Sequence, residues 1–166
     1  MINKEGEGAF WDPFDSGCVV YYNVGGFICC TYRCSAATLF WLVQHGVLPA
    51  ATERACTLPD WLAAKLTGHP PVTDHSLACS WGTYSLVNGT WNLAFLDRLG
   101  LDERLFPPVW ACGEWLGGPA PDVAEQVGLA AGGPVFNTLG DQQASFLAIV
   151  AEPDSIVLIK LGPVGR

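Results

Sequence analysis

The chain has 166 residues, half of them hydrophobic and only 14% charged, enough apolar material for one packed domain and too much for a disordered chain. Eight basic residues stand against sixteen acidic ones, a formal net charge of −8 that argues against nucleic acid or an anionic membrane surface as partner. The seven cysteines, an odd number with no Cys-x-x-Cys pair, suit reduced thiols in a cytoplasmic protein better than a disulfide framework.

The start, "MINKEGEGAFWDPFDSG", is polar and acidic rather than basic then apolar, so no secretory signal is expected there. The apolar run "CVVYYNVGGFICC" is too short and too glycine-broken to span a bilayer. Residues 1–33 carry no clean helical period and read as an irregular lead-in. Cys29, Cys30 and Cys34 match the usual zinc-ligand spacings poorly, with no suitably placed histidine, so no metal site is expected.

From Ser35 the pattern becomes regular. "SAATLFWLVQHG" reads as a buried helix stopped by Gly46, with Trp41 directed to the core. "TLPDWLAAKLTG" has Thr57 as N-cap, Asp60 three residues on as a structural helix-start carboxylate, and Thr67-Gly68 as its stop. "ACSWGTYSLVNGTW" alternates loosely around Asn88-Gly89, a hairpin signal, and "NGT" also matches a glycosylation triplet that arises often by chance. "WNLAFLDRLG" is an amphipathic helix, and "LDERLFPPVW" a proline-stiffened loop. "APDVAEQVG" is a short helix ended by Gly128. His45, His69 and His75 show no triad or metal spacing and read as surface residues.

"GGPVFNTL" then reads as a buried strand and "QQASFLAIVA" as a helix, which places Asp141 where a strand ends and a helix begins, with Gly140 allowing the bend. In layered α/β proteins such joints lie where ligands bind. Asp141 there has two readings, a helix N-cap or a functional carboxylate. A last strand, "SIVLIKLG", follows.

The helix "ATLFWL", the stretch "TLPDWLAAKLTGHPPVTDHSLACSWGTYSL…TWN", the "LGL…LFPPV" segment and "GLAAGGPVFNTLGDQQAS" occur in this order, and together they resemble the FGGY family of carbohydrate kinases. Among its branches the sedoheptulose kinases are most similar, and the resemblance runs roughly from Cys34 to Ser155. It implies an α/β chain, part of a ribonuclease H-like or actin-like ATPase fold. Residues 34–166 would be a partial N-terminal, sugar-binding domain; the ATP-binding C-terminal domain would be absent, as would the family's opening phosphate motif.

By the same resemblance Asp141 is the general base for phosphoryl transfer from ATP with Mg²⁺ to a ketose sugar, sedoheptulose to sedoheptulose 7-phosphate, and Gln142 contacts the sugar. Gln143 falls on the other helical face. Gly162 matches a nucleotide-phosphate glycine, although Pro163 stands where a threonine is expected. Tyr32, Arg33 and Ser35 lie near the expected sugar site without a fixed alignment. Xylulose or glycerol kinase, or a non-catalytic remnant binding a sugar or a partner, are the alternatives. A fragment with half a cleft is expected to be inactive alone.

Overall fold

The computed structural model describes residues 35–130 and 132–152 in full, and the strands at 9–11, 19–22 and 27–30 as backbone. These strands are β1 (Ala9–Trp11), β2 (Val19–Tyr22) and β3 (Phe27–Cys30). They form a sheet in the order β1-β2-β3-β4 with β4 (Arg54–Cys56). β1 and β3 run antiparallel to β2, and β4 runs parallel to β3. The stretch 1–33, expected to be irregular, therefore contributes three strands. The physical reason lies in composition: "VVYY" and "FICC" are β-branched, aromatic or apolar throughout, and the Asn-Val-Gly-Gly between them in sequence is turn material.

The parallel step from β3 to β4 needs a crossover, and α1 (Ser35–Gln44) supplies it. Its buried face is Ser35, Ala36, Leu39 and Leu42, at helical spacing. Gly46, with φ at +64°, turns the chain out of the helix as expected. Trp41 is half-buried, packing against the edge of the core and stacking on His45 with centroids 4.2 Å apart.

The core lies under this crossover. Leu39, Leu42, Ala55, Trp81, Leu96, Leu101, Leu105 and Phe106 close it from β4 and the helices on either side. Trp81 is its largest fully buried side chain, its ring 5.3 Å from those of Trp91 and Phe106. Tilted aromatic contacts of this kind add about 0.5–1.5 kcal/mol beyond area burial. Trp91 anchors outward by donating from Nε1 to the Pro107 carbonyl at 2.8 Å.

Beyond the core, α2 (Leu58–Thr67) follows β4, and a two-residue strand β5 (Thr73–Asp74) leads into α3 (His75–Cys79). The Asn88-Gly89 hairpin forms between β6 (Tyr84–Ser85) and β7 (Thr90–Trp91). α4 (Leu93–Leu99) starts on Asn92, whose side chain accepts from Phe95 N. β8 (Val109–Trp110) pairs in parallel with β5. β9 (Trp115–Gly117) pairs antiparallel with β10 (Val135–Phe136), and α5 (Pro121–Val127) lies between them in sequence. α6 (Asp141–Ile149) follows β10 and buries none of its residues. The strand expected at "SIVLIKLG", together with Gly162 and Pro163, lies outside the described residues, as do Tyr32, Arg33 and Cys34.

Candidate active site

The turn that joins β10 to α6, residues 137–140, is tied down from three directions. Asn137 is buried, and its side-chain nitrogen donates to the carbonyls of Thr73 (3.4 Å), Trp110 (3.2 Å) and Ala111 (3.1 Å). Its own Oδ1 accepts from Thr138 N at 3.0 Å. One amide group thus pins the exit of β10 to the ends of β5 and β8. A buried amide left unpaired costs about 1–3 kcal/mol, so this geometry resists change.

Thr138 forms the second tie. Its hydroxyl donates to Asp60 Oδ1 at 3.0 Å. The other oxygen of Asp60 accepts from the Thr57 amide at 3.1 Å and the Thr57 hydroxyl at 2.6 Å. This is the helix-start role expected for Asp60, with α2 closed at its other end by Gly68. Asp60 is fully buried, and burial pushes its pKa up from the ordinary aspartate value, with the Thr57 and Thr138 hydrogen bonds working the other way.

The third tie is made to Gly140, whose N–H donates to Ser76 Oγ at 2.8 Å. Ser76 Oγ in turn donates to Asp74 Oδ1 at 2.9 Å. Asp74 caps α3, accepting from Ser76 N at 2.8 Å and Leu77 N at 2.9 Å. Gly140 has φ of −60°, which any residue adopts, so conformation is not why a glycine stands here. Space is: a Cβ on Gly140 would lie 3.0 Å from Ser76 Oγ and 2.5 Å from Gln143 Oε1.

Asp141 opens the helix that this turn launches. The N-cap position belongs to Gly140, one residue earlier, so Asp141 is the first helical residue and not the cap. Its carboxylate is exposed, and Oδ1 accepts from Gln142 N at 2.8 Å. No bond from a described residue reaches Oδ2. A carboxylate in a first turn is favoured by the helix dipole, and here one oxygen stays available to a ligand hydroxyl.

Gln142 is exposed beside it and, with Gln143, Phe146 and Leu147, lines a shallow cavity of about 430 Å³. Gln143, expected on the other helical face, lines this cavity too, one turn before Leu147 as Gln142 is one turn before Phe146, and its Oε1 lies close over Gly140. A separate cavity of about 380 Å³ lies between α2 and β8–β9, with Asp60, Trp110 and Trp115 in its wall and neither Asp141 nor Gln142. His45, His69 and His75 are exposed. Among the described residues no group of three or more His, Cys, Asp or Glu is placed to hold a metal. Cys56 is buried, and Cys79 and Cys112 are exposed free thiols. No helix among the described residues is long and apolar enough to cross a membrane.

The sequence carried direct signals for Asp141, Gln142 and Asp60. It carried none that could be read alone for Asn137, Ser76 or Asp74, whose partners in the turn are distant along the chain.

The signature of the FGGY family of carbohydrate kinases, N-terminal domain, matches residues 20–148. It begins ahead of Cys34, so β3 and the end of β2 fall inside it. The autoinducer-2 kinase of Klebsiella pneumoniae subsp. pneumoniae is 39% identical over 114 residues, which are 67% of this chain and 21% of that protein. The autoinducer-2 kinase of Yersinia enterocolitica is 33% identical over 150 residues, 83% of this chain and 28% of that protein. The chain thus spans between about a fifth and under a third of the length of the curated relatives it matches.

Among solved structures, the xylulose kinase of Rhodospirillum rubrum superposes with a TM-score of 0.61 at 28% identity, over 68% of this chain and 23% of that one. The ligand-bound xylulose kinase of Lactobacillus acidophilus gives 0.61 at 18% identity over 70% of this chain and 23% of that one, which speaks to fold alone. The mixed α/β architecture is that of part of the actin-like fold of these sugar kinases.

Proposed function

The chain belongs to the FGGY family of carbohydrate kinases, and from that premise we propose that it supplies part of the acceptor-binding domain of an ATP-dependent kinase whose acceptor is autoinducer-2. The observation that carries the reading is Asp141: an exposed carboxylate at the head of a helix, one oxygen held by Gln142 N and the other open, on a turn tied from three sides. The choice of acceptor rests on the relatives at 33–39% identity, both named for that compound.

An alcohol is a weak nucleophile until its proton is taken. Asp141 Oδ2 accepts a hydrogen bond from the acceptor hydroxyl, orients that oxygen, and removes the proton as the oxygen attacks phosphorus, for about 10²–10⁴-fold in rate. Gln142 can donate to one neighbouring hydroxyl and accept from another, which fixes which oxygen faces Asp141. ATP with Mg²⁺ supplies the phosphoryl group. The family resemblance assigns Gly162, which lies outside the described residues, to the nucleotide side. A cytoplasmic location accompanies this reading, since ATP is its second substrate.

A second reading keeps the machinery and changes the acceptor to sedoheptulose. The run from "TLPDWLAAKLTGHPPVTDHS" to "GDQQAS" favours it. One experiment ranks these two against xylulose and glycerol: kcat/KM for each acceptor, measured on a protein that carries this domain with an ATP-binding lobe. Autoinducer-2 is expected to lead. A lead for sedoheptulose moves the assignment to the second reading, and a lead for glycerol overturns both. The 166 residues purified alone are expected to bind acceptor weakly and to transfer no phosphate.

A further inference from the structure

The base in this reading is exposed and makes no contact with the core, yet a general base works only if its oxygen is placed to within a fraction of an ångström. The structure shows what sets that placement. Gly140, immediately before Asp141, is held on both sides of its Cα: its N–H, in the Leu139–Gly140 peptide, donates to Ser76 Oγ at 2.8 Å, and its carbonyl, in the Gly140–Asp141 peptide, accepts the helix bond from Ala144 N at 2.9 Å. With the peptide planes on either side of Gly140 both held, the Asp141 backbone leaves them in a fixed direction.

Ser76 is suited to the task by a constraint on its own proton. A hydroxyl has one donor and two acceptor sites. Asp74 Oδ1, 2.9 Å away, takes the donor. What remains is acceptor capacity, which is what an N–H requires. Asp74 cannot turn away, because it is 2% exposed and is itself held by Ser76 N and Leu77 N. A hydrogen bond passed on from a charged acceptor is also stronger than a neutral one. The absent side chain at Gly140 completes the fit, since a Cβ there would meet Ser76 Oγ at 3.0 Å.

We propose that Ser76, oriented by Asp74, is a positioning residue for Asp141, acting through the backbone of Gly140; this rests on the reading of Asp141 as the base. Neither residue touches the acceptor. Their effect is on how often the Asp141 carboxylate lies in line with the hydroxyl, so it falls on turnover more than on acceptor affinity.

Ser76→Ala tests this cleanly, because Asp74 keeps Leu77 N and α3 keeps its cap. In the chain, amide hydrogen exchange should quicken about tenfold at Gly140 and its helical neighbours, while the amides of Leu39 and Leu96 stay as they were. In a protein carrying this domain with an ATP-binding lobe, kcat should fall about 10- to 100-fold at little-changed KM, and Ser76→Thr, which retains the hydroxyl, should recover most of it. Asp141→Asn is measured beside it. If Asp141→Asn is inactive while Ser76→Ala turns over normally, the inference is overturned and the base reading stands. If Asp141→Asn is fully active, the base reading fails and the inference with it. Uniformly faster exchange through the core, or a Ser76→Thr no better than Ser76→Ala, would also overturn it, since either outcome marks a role in folding alone.

Discussion

Thr138 Oγ1 donates to Asp60 Oδ1 at 3.0 Å, across 78 residues of sequence. One carboxylate thereby closes the start of α2 with one oxygen and steadies the approach to Asp141 with the other. A buried charge with such partners is tolerated at a cost, and that cost should be visible in the pH dependence of stability.

Burial raises the Asp60 pKa above its ordinary value of 3.8, so the folded chain holds this proton more tightly than the unfolded chain does. The resulting stabilisation is fully present below the ordinary value and is lost as pH rises through the raised one. Asp60→Asn has no such proton. The melting temperature of the parent relative to Asp60→Asn should therefore decline as pH rises from about 3 and level off once Asp60 is ionised. A difference that stays constant from pH 3 to 8 would contradict the assignment. Asp60→Ala, which leaves two threonine hydroxyls and an amide without their acceptor, should lose about 2–3 kcal/mol in denaturant unfolding.

For Asp141 the two readings separate on stability as well as rate. The cap position is Gly140, so neither Asn nor Ala at 141 should change unfolding free energy by more than about 0.5 kcal/mol. In a protein with an ATP-binding lobe, Asp141→Asn should lower kcat by about two to four orders of magnitude with KM nearly unchanged. Steady-state kinetics at saturating ATP gives both numbers, and retained kcat would remove Asp141 from the mechanism.

Gln142 and Gln143 line the same cavity but should differ in use. Gln142→Ala removes a donor and an acceptor for substrate hydroxyls and should raise the acceptor KM about tenfold, with a smaller effect on kcat. Gln143 is folded back against Gly140, and Gln143→Ala should leave KM within about twofold. Equal effects from the two variants would mean that both reach the substrate.

Gly140→Ala should be costly although its backbone angles suit alanine. The added methyl can push aside the flexible Gln143 side chain, but Ser76 Oγ at 3.0 Å is held by Asp74. Relieving that contact breaks the bond from Gly140 N, so a loss of about 1–3 kcal/mol is expected from chemical denaturation. Pairing it with Ser76→Ala should give less than the sum of the two losses, because both remove the same bond.

What could be read in the sequence is what is decided locally. The Thr57/Asp60 start of α2, the Asn88-Gly89 hairpin, the Gly68 and Gly128 helix stops and the strand-to-helix joint at Asp141 all rest on partners within a few residues. The features that escaped the sequence share another cause. Asn137 looks like an ordinary turn residue until Thr73, 64 positions away, is brought to it, and Ser76 looks like helix-start decoration until Gly140 arrives from the same distance. β5 and β8 are two residues each and have no period to detect. β2 and β3 were masked by the glycines between them, which weakened the run as a single element while marking it as two.

The ties on residues 137–140 span 64 to 78 residues for their longest members, and that separation bears on the order in which the chain folds. Closing loops of this length is paid in entropy before any of these bonds forms, whereas the α2 cap and the β6–β7 hairpin need only neighbours. The turn beneath Asp141 should accordingly be assembled after the rate-limiting step. Mutations there would then speed unfolding and leave the refolding limb of the chevron almost unmoved, while changes around Trp81 would slow refolding. The acceptor site would be the last part of the domain to take shape and the first to be lost.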